Sequence, residues 1–204
     1  MIIIIDYGLG NIRAFANVYE RLNIPVSVAI TSDDLKAATK IILPGVGAFD
    51  HSMSKLNNSG MRDTLDKLVL DHRLPILGIC VGMQMLAKSS EEGVLPGLGW
   101  IDGTVKRFDA SVLNSKTQLP HMGWNTIRPN NGNPLLVNFN NDSRFYFLHS
   151  YYFQCNNPND TIATTDYGIQ YSSAINHNNI YGVQFHPEKS HQWGIQLLKN
   201  FAEL

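Results

Sequence analysis

Cysteine is scarce in this sequence, with only Cys80 and Cys155 in 204 residues. Neither has a second cysteine at the spacing of a metal clip, and no His-x-x-x-His pair occurs among the seven histidines. No metal and no cofactor is therefore expected. Charge is sparse too: charged side chains make up 16%, the formal net charge is −1, and there is no basic run or acidic tail. Nucleic acid and anionic membranes both demand a concentrated positive face, so neither is expected as a partner. No stretch approaches the ~20 consecutive apolar residues that a membrane span requires. No signal peptide is expected either, because the run Ile2-Ile3-Ile4-Ile5 after Met1 is too short for its apolar core and carries no basic leader. These absences point to a reducing, cytoplasmic setting in which a thiol stays free for chemistry.

What is present is a globular composition on a chain long enough to bury its core without disulfides. No internal repeat, low-complexity segment or linker divides it, so residues 1–204 are expected to form a single domain. The first half alternates apolar runs with helical stripes. Residues 2–5 read as a strand buried on both faces, and residues 11–22 as a helix carrying Ile12, Phe15, Ala16, Tyr19 and Leu22. Further strands are expected at 25–30, 40–43 and 75–79. A helical region between the last two has Met53, Leu56, Met61, Leu65 and Leu68 as core contacts. This rhythm predicts an α/β fold, a mostly parallel, doubly wound sheet with helices on both faces. The second half predicts an added antiparallel region, with strands at 103–108, 124–127, 144–148, 151–155, 162–164, 169–175 and 179–184. Turns at 130–133 and 156–159 punctuate it, and a helix over 192–201 closes the chain.

Three segments carry chemistry. In Leu77-Gly78-Ile79-Cys80-Val81-Gly82-Met83-Gln84 an apolar strand ends in Gly-x-Cys-x-Gly and a helix opens at once. That is the arrangement of a nucleophile elbow, which exposes the thiol at a helix N-terminus where the thiolate is favoured. The same pattern also suits a buried cysteine in an ordinary βα turn. In Gln184-Phe185-His186-Pro187-Glu188-Lys189 a strand runs into a His-Pro-Glu corner. Proline holds the preceding histidine extended, and residues two apart in an extended segment share a side, so Glu188 is expected to orient the His186 imidazole. Together, Cys80, His186 and Glu188 form a candidate catalytic set of nucleophile, base and orienter. The third segment, Pro44-Gly45-Val46-Gly47-Ala48-Phe49, is a glycine turn with backbone N–H groups aimed at an anion. That anion is either the oxyanion formed at Cys80 or a phosphate, and no Walker lysine supports the phosphate.

With these segments in this order, the chain resembles the triad-type glutamine amidotransferases over nearly its whole length. Asp6-Tyr7-Gly8-Leu9-Gly10-Asn11, Ser89-Ser90-Glu91-Glu92-Gly93, His121-Met122-Gly123-Trp124-Asn125 and His186-Pro187-Glu188-Lys189-Ser190 add to the likeness. The resemblance implies L-glutamine as substrate, a thioester on Cys80, and release of ammonia to a partner subunit. It further implies an oxyanion held by N–H groups of Val81 and of Gly45, Val46 and Gly47. Gln84 and His149-Ser150-Tyr151 would hold the amino-acid end of the substrate, and Trp124, Asn125 and Lys189 would face the partner. The His-Met-Gly-Trp-Asn and His-Pro-Glu-Lys-Ser segments resemble subfamily members that deliver ammonia to a (β/α)8-barrel cyclase in histidine biosynthesis. Val81 after the cysteine, and Trp100 within Gly97-Leu98-Gly99-Trp100-Ile101, resemble instead paralogues that supply a sugar amidotransferase in surface polysaccharide biosynthesis. A cysteine peptidase or hydrolase of the same fold is a third reading. The fourth is a binding subunit without catalysis.

Overall fold

A computed structural model describes residues 1–109, 111, 117–130 and 132–204. The first half has β1 (Ile2–Ile5), α1 (Ile12–Arg21), β2 (Val26–Ala29), β3 (Lys40–Gly45), α2 (Phe49–Asn58), α3 (Arg62–Asp66), β4 (Ile76–Cys80) and α4 (Val81–Met85). The second half adds β5 (Ser89–Ser90), β6 (Gly103–Arg107), β7 (His121–Thr126), β8 (Arg128–Pro129), β9 (Arg144–His149), β10 (Tyr151–Cys155), β11 (Thr161–Tyr167), β12 (Ile169–His177) and β13 (Ile180–Val183). Helix α5 (His191–Glu203) closes the chain.

Eleven strands form one sheet in the order β2-β1-β3-β4-β13-β12-β10-β6-β5, with β11 and β8 joined beside β12. The β2-β1-β3-β4-β13 half is parallel throughout. Its continuous apolar runs, such as the four isoleucines of β1, are buried on both faces, as such strands require. From β13 onward the pairing through β12, β10 and β6 is antiparallel, and β7 and β9 form a separate antiparallel ribbon. Helix α1 buries Phe15 and Tyr19 and packs on α5, where the Tyr19 hydroxyl donates to Leu198 O at 3.2 Å. A second helical group sets α2 against α4.

Several elements differ in extent from the sequence reading. Strand β3 continues through Pro44 to Gly45, because Gly45 still pairs with Cys80 across the parallel ladder. Strand β7 starts at His121, whose register partner is His149; the polar residues there conceal the strand. Strand β11 runs on through Thr165 and Asp166 to Tyr167, a polar stretch held by pairing with β12 rather than by burial alone. A π turn, Lys67–Asp71, follows α3, so Val69 enters the core four residues after Leu65 while Leu68 is only half-buried. The glycine-asparagine turn expected at 130–133 includes Asn131, which lies outside the described residues.

Candidate active site

Strand β4 delivers Cys80 at φ 55° and ψ −112°, a conformation that costs an L residue energy and persists only where its surroundings impose it. The surroundings are backbone. A Cβ on Gly82 would overlap the Leu43 carbonyl oxygen, and one on Gly45 would overlap the Gly82 nitrogen. Strand β3 and the first turn of α4 therefore meet with nothing between them, which is why glycine occupies both positions. The elbow helix is short, ending at Met85, with Leu86 and Ala87 buried beyond it. Cys80 is 3% exposed, and its Sγ lies 3.9 Å from Leu148 O and 3.8 Å from Gln184 Nε2.

The His-Pro-Glu corner is clamped to β9. His186 N donates to Tyr146 O at 2.8 Å, and Ser190 Oγ donates to His186 O at 2.6 Å while accepting from Tyr146 N at 3.0 Å. Pro187–Lys189 forms a 3-10 turn rather than an extended segment. It is this turn, not strand alternation, that brings Glu188 back to His186, with Oε1 2.9 Å from Nδ1. Both side chains are buried, and Glu188 Oε2 has no hydrogen-bond partner among the described residues. Burial disfavours the imidazolium, but the adjacent Cys80 and Glu188 outweigh it and push the His186 pKa up to about 10. With Nδ1 committed to Glu188, Nε2 is the nitrogen left to exchange a proton with the thiol.

Cys80 and His186 open into a cavity of about 290 Å³. Val46, Gly47, Val81, Gln84, His149, Ser150, Tyr151 and Lys189 line the same cavity, so residues from distant parts of the sequence converge there. Gly45 sits behind the lining against the elbow, and Glu188 stands behind His186. Gln84 Nε2 donates to Tyr151 O and to Gln184 Oε1, both at 3.1 Å, and Gln184 in turn reaches the thiol. The glycine turn is braced by Tyr7, whose hydroxyl donates to Pro44 O at 2.8 Å; beyond it Gly47 adopts φ +85°.

Sequence reasoning assigned no role to Glu92 or Gln184. Glu92 lines the cavity, and its Oε2 accepts from Phe49 N at 2.8 Å. Asp50 returns the tie by accepting from Val94 N and Leu95 N at 2.9 and 3.0 Å. The Ser-Ser-Glu-Glu-Gly run carried the signal for Glu92, but nothing local showed that it meets the glycine turn. Trp124 and Asn125 do not line the cavity. Trp124 is 40% exposed and stacks on His191 at 5.3 Å, and Lys189 links this patch to the cavity by lying 5.7 Å from the Tyr146 ring. Asn125, the next residue on the strand, is half-buried and turns its amide to the Asp166 carbonyl and to His121. Trp100 is buried away from the cavity, with its indole donating to Asp66 at 2.8 Å, so it is a packing residue. Cys155 is half-buried, and burial pushes its thiol pKa up.

The family model for glutamine amidotransferase class-I matches residues 3–204. Imidazole glycerol phosphate synthase subunit HisH of Bdellovibrio bacteriovorus is 58% identical over 204 residues, covering the full length of both chains. The protein of the same name in Leptospira interrogans is 53% identical, again over both full lengths, and HisH 2 of Pseudomonas aeruginosa 46%. Among solved structures, a glutamine amidotransferase superposes with a TM-score of 0.74 at 18% identity, covering 99% of each chain. A glutamine amidotransferase from Thermotoga maritima superposes with a TM-score of 0.63 at 18% identity, over 92% of this chain and 75% of that one. The fold is thus shared with those proteins, and the chain belongs to the class-I glutamine amidotransferase family.

Proposed function

We propose that residues 1–204 act as one glutaminase domain, the ammonia-producing subunit of an imidazole glycerol phosphate synthase in histidine biosynthesis. The observation that carries the chemistry is one cavity holding a strained cysteine beside a histidine that is itself held by a buried carboxylate. Full-length identity to synthase subunits supports the pathway.

In the reaction, the Cys80 thiolate attacks the side-chain carbonyl carbon of glutamine. N–H groups of Val81 and the Gly45–Gly47 turn hold the resulting oxyanion. The His186 imidazolium gives its proton to the leaving nitrogen, ammonia departs, and a glutamyl thioester remains. Water then attacks the thioester as His186 takes its proton; glutamate leaves and the thiolate is restored. Glu188 holds the imidazole with its proton on Nδ1 throughout. At the other end of the substrate, Glu92 supplies a carboxylate for the α-ammonium group. Gln84 and the His149-Ser150-Tyr151 wall hold the remaining amino-acid atoms.

Ammonia passes to a (β/α)8-barrel cyclase docked on the face carrying Trp124 and Lys189, forming a heterodimer. The test is glutamine hydrolysis by the chain alone, with such a cyclase, and with the cyclase plus its phosphorylated ribulose-type nucleotide. Stimulation by the cyclase is expected. Stimulation only by a sugar amidotransferase would overturn the pathway assignment, and no glutamine hydrolysis with either partner would overturn the glutaminase assignment.

A further inference from the structure

A largely buried polar string runs behind the cavity wall, and of its members only His149 and Tyr151 have a part in the chemistry above. Its polarity is fixed at both ends. Asn125 Nδ2 donates to Asp166 O at 3.0 Å and Asn125 Oδ1 accepts from Thr126 N at 2.8 Å, which sets the amide's orientation. The same Nδ2 lies 3.3 Å from His121 Nε2, which must therefore accept and carries no proton. The His121 proton is then on Nδ1, 3.0 Å from the Tyr171 hydroxyl oxygen. Tyr171 directs its one hydroxyl proton to His149 Nε2 at 3.2 Å. His149 donates from Nδ1 to Tyr151 O at 2.7 Å, an acceptor that permits no other direction.

Reading from either end gives the same arrangement: two neutral histidines, each with its proton on Nδ1. The three rings are more than nine-tenths buried, and His121 is held between Tyr167 and Phe147 at centroid distances of 3.8 and 4.6 Å. The Thr165 hydroxyl nearby spends its proton on Thr126 O at 3.1 Å. Burial lowers the basicity of both imidazoles, in keeping with the neutral forms.

The string ends on a carbonyl of the cavity wall. Tyr151 O receives both His149 Nδ1 and Gln84 Nε2, so the two donors together fix that peptide plane. Leu148, on the other side of this short wall, places its carbonyl 3.9 Å from the Cys80 sulfur. We propose that His121 and Tyr171 are positioning residues for glutamine: through His149 they set the His149–Tyr151 wall against which the amino-acid end of the substrate is held. This rests on the glutaminase reading.

Tyr171→Phe removes one oxygen and keeps the ring, leaving the string broken at its centre. Two measurements decide. Long-range proton–nitrogen NMR at pH 7 should find His121 and His149 in the wild-type chain neutral and protonated at Nδ1; an Nε2-protonated or cationic ring at either position would refute the string, whatever the protein catalyses. The second is Cys80 alkylation by an electrophilic diazoketone analogue of glutamine, against alkylation by iodoacetamide, which has no amino-acid end. In Tyr171→Phe the half-saturating concentration of the analogue should rise about 3–10-fold, the scale of one lost hydrogen bond. The saturated rate and the iodoacetamide rate should each stay within about twofold, since neither depends on holding the amino-acid end. His121→Asn, which replaces the ring by a shorter side-chain amide, should give a shift of the same sign. An unchanged half-saturating concentration in both variants, or equal slowing with both reagents, would overturn the positioning role. Failure of the wild-type chain to saturate with the glutamine analogue would refute the glutaminase reading, and the positioning role with it.

Discussion

Acidification should unfold this protein through two histidines that the fold keeps neutral. His121 and His149 are 2% and 6% exposed. Burial lowers the pKa of His121 from 6.5 to about 4, and burial, together with the neighbouring His121, lowers that of His149 to about 3. A proton on His121 Nε2 would also face the Asn125 amide donor, so the hydrogen-bond geometry opposes the cation as well. Below the unfolded-state pKa the unfolded chain binds protons that the folded chain refuses, and stability therefore falls as pH falls. The loss begins near pH 6.5 and continues until the folded pKa values are reached. Each group contributes about 1.4 kcal/mol per pH unit, so about 2 kcal/mol per histidine is lost between about pH 7.5 and about pH 5. Against a total stability of about 5–15 kcal/mol that is a large share. His186 works in the opposite sense, because its raised pKa retains its stabilising effect below 6.5. His121→Phe keeps a ring in the stack and removes one titrating group. Urea unfolding of wild type and variant at the two pH values reads it: His186 is common to both, and His149, whose pKa His121 also helps lower, only adds to the difference. The variant should lose about 2 kcal/mol less than wild type on acidification, whatever its constant offset. A difference under about 0.5 kcal/mol would show that His121 titrates normally in the folded state, and the buried string would then be misassigned.

The remaining predictions concern the cavity and its frame. Replacing His186 by Ala should cost more glutamine turnover than Glu188→Gln, and the double variant should be little worse than the His186 variant alone, because the pair acts as one unit; fully additive losses in steady-state kinetics would count against it. Gly82→Ala places a methyl group against the Leu43 carbonyl, so a stability loss of at least about 1–3 kcal/mol is expected by denaturant unfolding, with weaker Cys80 reactivity as the elbow shifts. Glu92→Gln keeps the acceptor for Phe49 N but removes the charge, and should raise the KM for glutamine about 10-fold or more with little change in kcat.

Much of the fold was legible because burial leaves a simple pattern. The four isoleucines of β1 and the run ending at Cys80 lie in the parallel half of the sheet, where both faces are covered and every residue is apolar. The start of β7 was harder: His121 is a core residue whose polar atoms are satisfied by partners as far as 50 residues away, and no local rule foretells that. The cavity divides in the same way. Cys80 and the His-Pro-Glu corner announce themselves by local backbone chemistry, although the corner works through a turn rather than an extended segment. Glu92, Gln184 and Tyr171 join only through tertiary contacts with the glycine turn, the thiol and the two histidines. A motif does not show direction: strand alternation sends Trp124 to the His191 stack and Asn125 to the Asp166 carbonyl and His121.

The central claim is that Cys80 attacks glutamine. The most direct measurement is to quench the protein during turnover of isotope-labelled glutamine, with its cyclase partner present, and map the labelled peptide by mass spectrometry. A labelled glutamyl adduct on Cys80 is expected, with none on Cys155, whose half-buried thiol has its pKa raised. The adduct and ammonia release should both vanish in Cys80→Ala. Ammonia release that persists in Cys80→Ala, or an adduct on any other residue, would contradict the account.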